Sequence, residues 1–117
     1  MMLRSEVRMV ELDPARGSEA NKRRPAVIVS NDGVNAISAR LGRGVVTVVP
    51  LTSNTTTVHP FQVLLDAEAC GLPTTSKAQA EQVRSVDVAR IGAVIGRVPD
   101  SIMSSINDAL RLHLALD

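Results

Sequence analysis

Apolar residues along the 117-residue chain fall into short runs divided by polar breaks that carry glycine or proline. Glu6 to Leu12 mixes polar and β-branched positions and predicts a strand, which Asp13-Pro14 ends because proline offers no ladder donor. A polar loop from Ala15 to Arg24 follows, and long ordered loops are often functional. Pro25 to Ser30 predicts a buried strand, broken by Asn31-Asp32-Gly33. Asn35 to Leu41 suits a short stretch of helix. Val45 to Leu51 is the strongest strand signal, and the Thr-rich segment Thr52 to His59 is a second candidate functional loop. Phe61 to Leu65 predicts another strand, Ala67 to Pro73 a turn, and Lys77 to Val83 a weaker strand. Ser85 to Ile91 suits a short helix capped by Ser85, and Ala93 to Val98 a last strand.

After Pro99, the positions Ile102, Met103, Ile106, Ala109, Leu110 and Leu114 have the spacing of an amphipathic helix, with Asp100 or Ser101 as cap. Leu110, Leu112, Leu114 and Leu116 also alternate like a strand, but the segment is long and continuous, which favours helix. Its last turns are apolar on more than one face, more than a small sheet needs, so a homodimer is expected. Short strands with one terminal helix predict a mainly β fold. The form expected is a small, strongly bent, mostly antiparallel sheet or half-open barrel, in a single domain over residues 1–117.

Composition narrows the function. Hydrophobic residues at 44% and charged residues at 21% are the balance of a globular domain, not of a disordered chain. No apolar run approaches the roughly 18–20 residues that cross a bilayer, and Met1 to Val10 has no apolar signal-peptide core, so no membrane partner and a cytoplasmic home are expected. The lone Cys70 and two histidines, His59 and His113, make neither a disulfide nor a metal centre, so no metal or cofactor is expected. The net charge of +1 is uneven: the first third is basic, and Lys22-Arg23-Arg24 is its densest run. Such a face attracts phosphate, although a mixed solvated surface explains it equally well.

Two segments place phosphate-friendly groups at strand ends. In Gly17-Ser18-Glu19 followed by Lys22-Arg23-Arg24-Pro25, an arginine before proline is held extended, and its planar fork grips phosphate through two hydrogen bonds. In Pro50-Leu51-Thr52-Ser53, a buried strand delivers two hydroxyls to a loop mouth. The plain alternative is a capped strand end beside solvated charges. His59 is read as a solvated loop residue or as an acid–base group, and His113 as structural.

Glu11-Leu12-Asp13-Pro14, Gly17-Ser18-Glu19, Arg23-Arg24-Pro25-Ala26-Val27, Ser30-Asn31-Asp32, Pro50-Leu51-Thr52-Ser53, Pro60-Phe61-Gln62-Val63 and Glu81-Gln82-Val83-Arg84-Ser85 stand in the order and spacing of the MazF/PemK toxin family. The chain resembles that family from Glu6 to about Leu114. The resemblance implies an SH3-like (CcdB/PemK-like) barrel with a C-terminal helix. It also implies a homodimeric, metal-independent endoribonuclease, an mRNA interferase that cuts single-stranded RNA (mRNA, and also rRNA or tRNA) and is neutralised by a MazE-type antitoxin. Carried over by position, the catalytic arginine is Arg24, the catalytic hydroxyl Thr52, the loop glutamate Glu19, and the pair near the RNA groove Glu81 and Gln82. Ser18, Lys22, Arg23, Ser53, His59 and Arg84 complete the expected RNA-binding set.

A ribonuclease of this kind uses the substrate's own 2′-hydroxyl, an intramolecular attack that leaves a 2′,3′-cyclic phosphate and a 5′-hydroxyl. Arg24 would stabilise the pentacoordinate phosphorane and Thr52 donate to a non-bridging oxygen. Glu19 would act as base or, the favoured reading, orient Arg24. With one Phe and no Tyr or Trp, base choice would fall to polar and backbone contacts in loops 13–23 and 53–60. A competing class is a non-catalytic toxin or RNA-binding module on the same barrel. CcdB-type gyrase poisons share a Trp-Gly-Ile tail, whereas this chain ends Ala115-Leu116-Asp117 and has no Trp.

Overall fold

The computed structural model describes residues 2–117. Seven strands form one antiparallel sheet: β1 (Glu6–Glu11), β2 (Arg23–Ile28), β3 (Val45–Thr52), β4 (Gln62–Leu65), β5 (Ser76–Gln79), β6 (Arg84–Asp87) and β7 (Ile91–Arg97). Helix α1 (Asp32–Leu41) connects β2 to β3, the short α2 (Ala67–Cys70) follows β4, and α3 (Asp100–Leu114) ends the chain. The strand order is β4-β5-β3-β2-β1-β7, with β6 paired to β3 outside that path. The expected mainly β architecture with a terminal helix is therefore present. Among the described residues no helix is long and apolar enough to cross a membrane.

The topology turns on β3. One edge pairs with β2 through Val48, Val49 and Pro50. The other edge pairs first with β6, from Val45 to Val48, and then with β5, at Leu51 and Thr52. Pro50 lies where the partner changes, and its missing N–H costs no ladder bond at such a break. A 3₁₀ turn at Ala80–Gln82 carries the chain from β5 to β6 across the same point.

The central strands β2 and β3 are largely buried on both faces, which explains why they read as continuous apolar runs. Alternate residues enter different cores. Val27, Val49 and Leu51 pack with Leu65, Val98, Met103 and Ile106 beneath α3. Ala26, Ile28, Val46 and Val48 pack with Met2, Val10, Leu12 and Val86 on the other side. Burying an Ile106-sized side chain (1% exposed) stabilises by about 1.5–3 kcal/mol.

Four local expectations are corrected. Asn31 does not simply end β2: its side chain accepts from Val34 N at 2.9 Å and starts a ten-residue α1. That helix ends at Gly42, whose φ of 64° is the left-handed conformation glycine adopts without strain. It turns Asn35 and Ser38 inward, hydrogen-bonded to Ser30 and Val45, and leaves Val34, Ile37 and Leu41 exposed. Second, Ser85 to Asp87 lies in strand β6, not in a helix: Val86 (2% exposed) enters the core between exposed neighbours, opposite Val46. Asp87, not Ser85, caps a 3₁₀ turn at Val88–Arg90. Third, β5 stops at Gln79, and Ala80–Gln82 is the 3₁₀ turn. Fourth, α3 starts from Pro99 with no side-chain cap; the Pro99 carbonyl accepts from Ile102 and Met103.

Gly96 on β7 is the tightest close approach. A Cβ there would lie 2.4 Å from the Cys70 carbonyl oxygen and 3.0 Å from Leu72. Gly96→Ala is expected to push the α2 end off β7 and destabilise the fold by about 1–3 kcal/mol, measured by urea unfolding. An unchanged midpoint would contradict this packing.

Candidate active site

Arg23 and Arg24 open β2, in register with Glu11 and Val10 of β1. The turn before them is tight. Lys22 has a φ of 63°, a left-handed conformation that costs a non-glycine residue about 1 kcal/mol or more. It is held there by its N–H to Asp13 Oδ1 at 2.9 Å and by its carbonyl, which accepts from Leu12 at 2.8 Å. The strand's alternation then separates the two arginines. Arg24 enters a cavity of about 280 Å³ with Pro25, Leu51, Thr52, Ser53, Leu72, Pro73, Thr74 and Ser76. Arg23 enters another with Met9, Glu11 and Arg90.

Arg24 is half-buried, and its fork is anchored by one residue. Nε donates to the Asn21 carbonyl at 2.8 Å and Nη2 to Asn21 Oδ1 at 3.1 Å. Two of five N–H donors are used, which leaves the rest for an anion in the cavity. Thr52 ends β3 in the same cavity. Its hydroxyl oxygen accepts from Asn54 N at 3.3 Å, so the acceptor side is occupied while the proton remains free to donate. Ser53 joins them at the exposed mouth.

Glu19 does not orient Arg24. Its Oε1 accepts from Arg16 N, and it lines a neighbouring cavity of about 310 Å³ with Glu81, Gln82 and Arg84. The anchor that sequence reasoning gave to Glu19 is Asn21. A short polar side chain three residues before the arginine was the available signal. Gln82 is used structurally as well: it accepts from Ala20 N and donates to the Ser18 carbonyl, both at 2.8 Å, and so staples loop 12–22 to the 3₁₀ turn. Arg84 donates to the Leu12 carbonyl at 3.1 Å. Ser18 and Lys22 are exposed on that loop.

Loop 53–61 is also braced from below. Buried Lys77, in register with Thr52, donates to the Thr57 carbonyl at 2.6 Å. Gln62 accepts from His59 N at 3.0 Å and donates to Glu81 Oε2 at 2.7 Å. Exposed His59 stacks on Phe61, with ring centroids 5.3 Å apart. Glu81 Oε1 is buried without a partner. Lys77 and Gln62 were missed because only pairing with distant strands reveals where they point. Cys70 is buried, and burial, with Asp66 nearby, pushes its thiol pKa up, so it stays protonated and is a poor nucleophile.

A small antiparallel half-barrel thus holds an anchored guanidinium and a hydroxyl donor at one cavity suited to an anion. The chain belongs to the family of PemK-like, MazF-like toxins of type II toxin–antitoxin systems, whose model matches residues 3–114. It is 58% identical over 116 residues to Endoribonuclease MazF9 of Mycobacterium tuberculosis (strain ATCC 25618 / H37Rv), covering 99% of this chain and 98% of that one. It is 33% identical to Endoribonuclease PemK of Escherichia coli, over 90% of this chain and 76% of that one. A solved endoribonuclease in complex with its cognate antitoxin, from a mycobacterial species, superposes with a TM-score of 0.78 at 26% identity, covering 100% of this chain and 98% of that one.

The Gln82 staple has a direct readout. Gln82→Ala removes two hydrogen bonds, each worth about 0.5–1.5 kcal/mol, so loop 12–22 is expected to open about tenfold more often. Native-state trypsin cleavage after Arg16 and Lys22 should accelerate by that factor. Cleavage at the wild-type rate would show that the loop is held elsewhere.

Proposed function

We propose that the chain is an endoribonuclease toxin that cuts single-stranded RNA in the cytoplasm, at the cavity holding Arg24 and Thr52. The supporting observation is the pairing, in one cavity, of a guanidinium anchored on Asn21 with a hydroxyl whose acceptor side is already engaged. The RNA's 2′-oxygen attacks phosphorus and loses its proton to solvent water. The P–O5′ bond breaks, and the departing oxygen takes up a proton from solvent, leaving a 2′,3′-cyclic phosphate and a 5′-hydroxyl. Arg24 stabilises charge on the phosphorane and Thr52 donates to a non-bridging oxygen. Within this cavity the groups that can stabilise developing charge are the Arg24 guanidinium and the Thr52 and Ser53 hydroxyls. Glu19, Glu81, Gln82 and Arg84 meet a flanking stretch of RNA at the neighbouring cavity, and Ser18, Lys22, Ser53 and His59 meet it at the loop tips. Arg23 contributes phosphate affinity from the opposite side of β2.

Two protein partners belong to this reading. Exposed Leu112, Leu114 and Leu116 at the end of α3 offer a homodimer surface. An acidic MazE-type antitoxin segment would plug the same basic site with carboxylates; that an antitoxin partner exists is supported by the mycobacterial relative solved in complex with its cognate antitoxin. A wild-type mass of two chains by light scattering at micromolar concentration, reduced to one by Leu112→Glu, is expected. A wild-type monomer would contradict the dimer.

The catalytic assignment is tested by single-turnover cleavage at saturating enzyme in excess EDTA. Arg24→Ala should slow the chemical step by about 10²–10³, the cost of losing one preorganised donor. Arg24→Lys should restore little, because one ammonium lacks the two-point grip. Thr52→Ala should fall between, and Thr52→Ser keep most activity. Arg23→Ala should weaken affinity and its salt dependence while leaving the saturated rate intact. If Arg24→Ala cuts at the wild-type rate, the active site lies elsewhere. Loss of cleavage in EDTA would overturn the metal-free mechanism, and RNA bound but left intact by the wild-type chain would favour a binding module.

A further inference from the structure

A second pair of guanidiniums lies on the side of β2 away from Arg24, where the proposed cleavage chemistry makes no use of it. Arg23 and Arg90 line one cavity of about 210 Å³, completed by Glu11 and Met9 of β1 and Gly92 of β7. We propose that this cavity is an exosite for RNA outside the cleaved stretch, with one phosphate gripped by the two arginines and the adjoining ribose hydroxyl bound to Glu11. The proposal rests on the reading of the chain as an RNA-cleaving protein and adds a second place where the same RNA is held.

Three observations carry it. First, both guanidiniums have donors to spare. Arg90 is fixed through Nη1 alone, which donates to the Glu11 carbonyl at 3.3 Å and to the Asp13 carbonyl. Its Nε and Nη2 are uncommitted among the described residues, and the exposed Arg23 guanidinium makes no hydrogen bond or ion pair with any of them. A phosphate in the cavity would meet planar forks from two separate chain segments.

Second, a glycine makes room for the Arg23 fork. A Cβ at Gly92 would lie 3.3 Å from Arg23 Nη2 and 3.0 Å from the Met9 carbonyl oxygen. The guanidinium thus rests against bare backbone at the start of β7, two residues beyond Arg90, and a side chain at this position would crowd it.

Third, Glu11 stands opposite Arg23 in the β1–β2 register, yet the two make no ion pair. Its carboxylate remains an acceptor in the cavity. It disfavours a bare anion, whereas a ribose phosphate brings a hydroxyl that can donate to it. The same carboxylate argues against an acidic peptide, which would add like charge beside it.

Placement gives the exosite its consequence. Successive residues of β2 point to opposite sides, so an RNA just long enough to fill the Arg24 cavity does not reach Arg23. A longer strand passes loop 12–22, where Arg16 and Lys22 are exposed, and arrives at the far side. The exosite thereby favours long single strands over short ones.

The test measures binding by the full-length chain, with the mapped cleavage site blocked by a 2′-deoxy nucleotide. Two RNAs that share this site, about five and about twenty nucleotides long, are titrated by fluorescence anisotropy across a salt series. In Arg23→Ala the longer RNA should bind at least fivefold more weakly, and its slope of log K against log salt should fall by about 0.7, the share of one single-strand phosphate. The shorter RNA should lose less than twofold. Deoxyribose throughout the flanks of the longer strand should weaken wild-type binding at least threefold and weaken Glu11→Ala binding less. Arg23 and Glu11 are both exposed, so the substitutions leave the fold in place, which the urea midpoint checks. Equal loss for both lengths in Arg23→Ala, or no loss for either, would overturn the exosite. A polyglutamate peptide that displaces the longer RNA from the wild-type chain but not from Arg23→Ala, and binds Glu11→Ala more tightly, would give the cavity to a protein ligand instead. A wild-type chain that binds neither RNA would overturn the RNA-cleaving reading itself, and the exosite with it.

Discussion

One strand serving two neighbours along the same edge is the constraint on which the rest depends. β3 must leave β6 after Val48 and take up β5 at Leu51, and Pro50 occupies the gap. The switch bends the sheet. It carries Thr52 to the end of a buried strand, beside the start of β2 and beside the segment that enters β5. Arg24, Thr52, Leu72 and Ser76 arrive at one cavity because those three chain segments converge there. The central strands meanwhile serve two apolar cores, filled by alternate residues of β2 and β3.

Within that frame the proposed chemistry depends on how tightly a few donors are held. Arg24 is fixed by its neighbour Asn21, and Asn21 stands on a turn that Asp13 and the strained Lys22 conformation hold in place. Thr52 is held by the strand behind it and by Asn54 ahead. Both loops are braced by buried polar side chains, Gln82 on one side and Lys77 with Gln62 on the other. Donors that need not reorganise as charge develops are what lower a phosphoryl-transfer barrier.

The strands were legible in the sequence because β2 and β3, buried on both faces, leave continuous apolar runs, and the terminal helix because its apolar spacing is long. Arg24 and Thr52 were singled out from strand-end position and family resemblance, and the structure places both in one cavity. Other features depend on partners far along the chain. Ser85-Val86-Asp87 looks helical until β3 is there to pair with it. α1 shows a misleading pattern, since it buries Asn35 and Ser38 and exposes Val34, Ile37 and Leu41. Glu19 seemed the natural partner of Arg24 by charge, but the turn geometry gives the guanidinium to the neutral Asn21, and Glu19 caps its own loop at Arg16. Ala67 to Pro73 reads only as a turn in the sequence; the place of Leu72, Pro73, Thr74 and Ser76 in the cavity with Arg24 comes with the β3–β5 pairing.

The central claim is that the protein supplies charge stabilisation while the RNA supplies its own nucleophile. It is tested most directly by replacing one hydroxyl in a substrate that the chain cuts: a 2′-deoxy nucleotide placed immediately 5′ of the mapped cleavage site. The account predicts that this RNA binds as tightly as the parent and is not cut at that bond. It also predicts that the parent yields a 2′,3′-cyclic phosphate and a 5′-hydroxyl end. Cleavage of the deoxy-substituted bond at the parent rate, with a 5′-phosphate end, would show that water is the nucleophile and would contradict it.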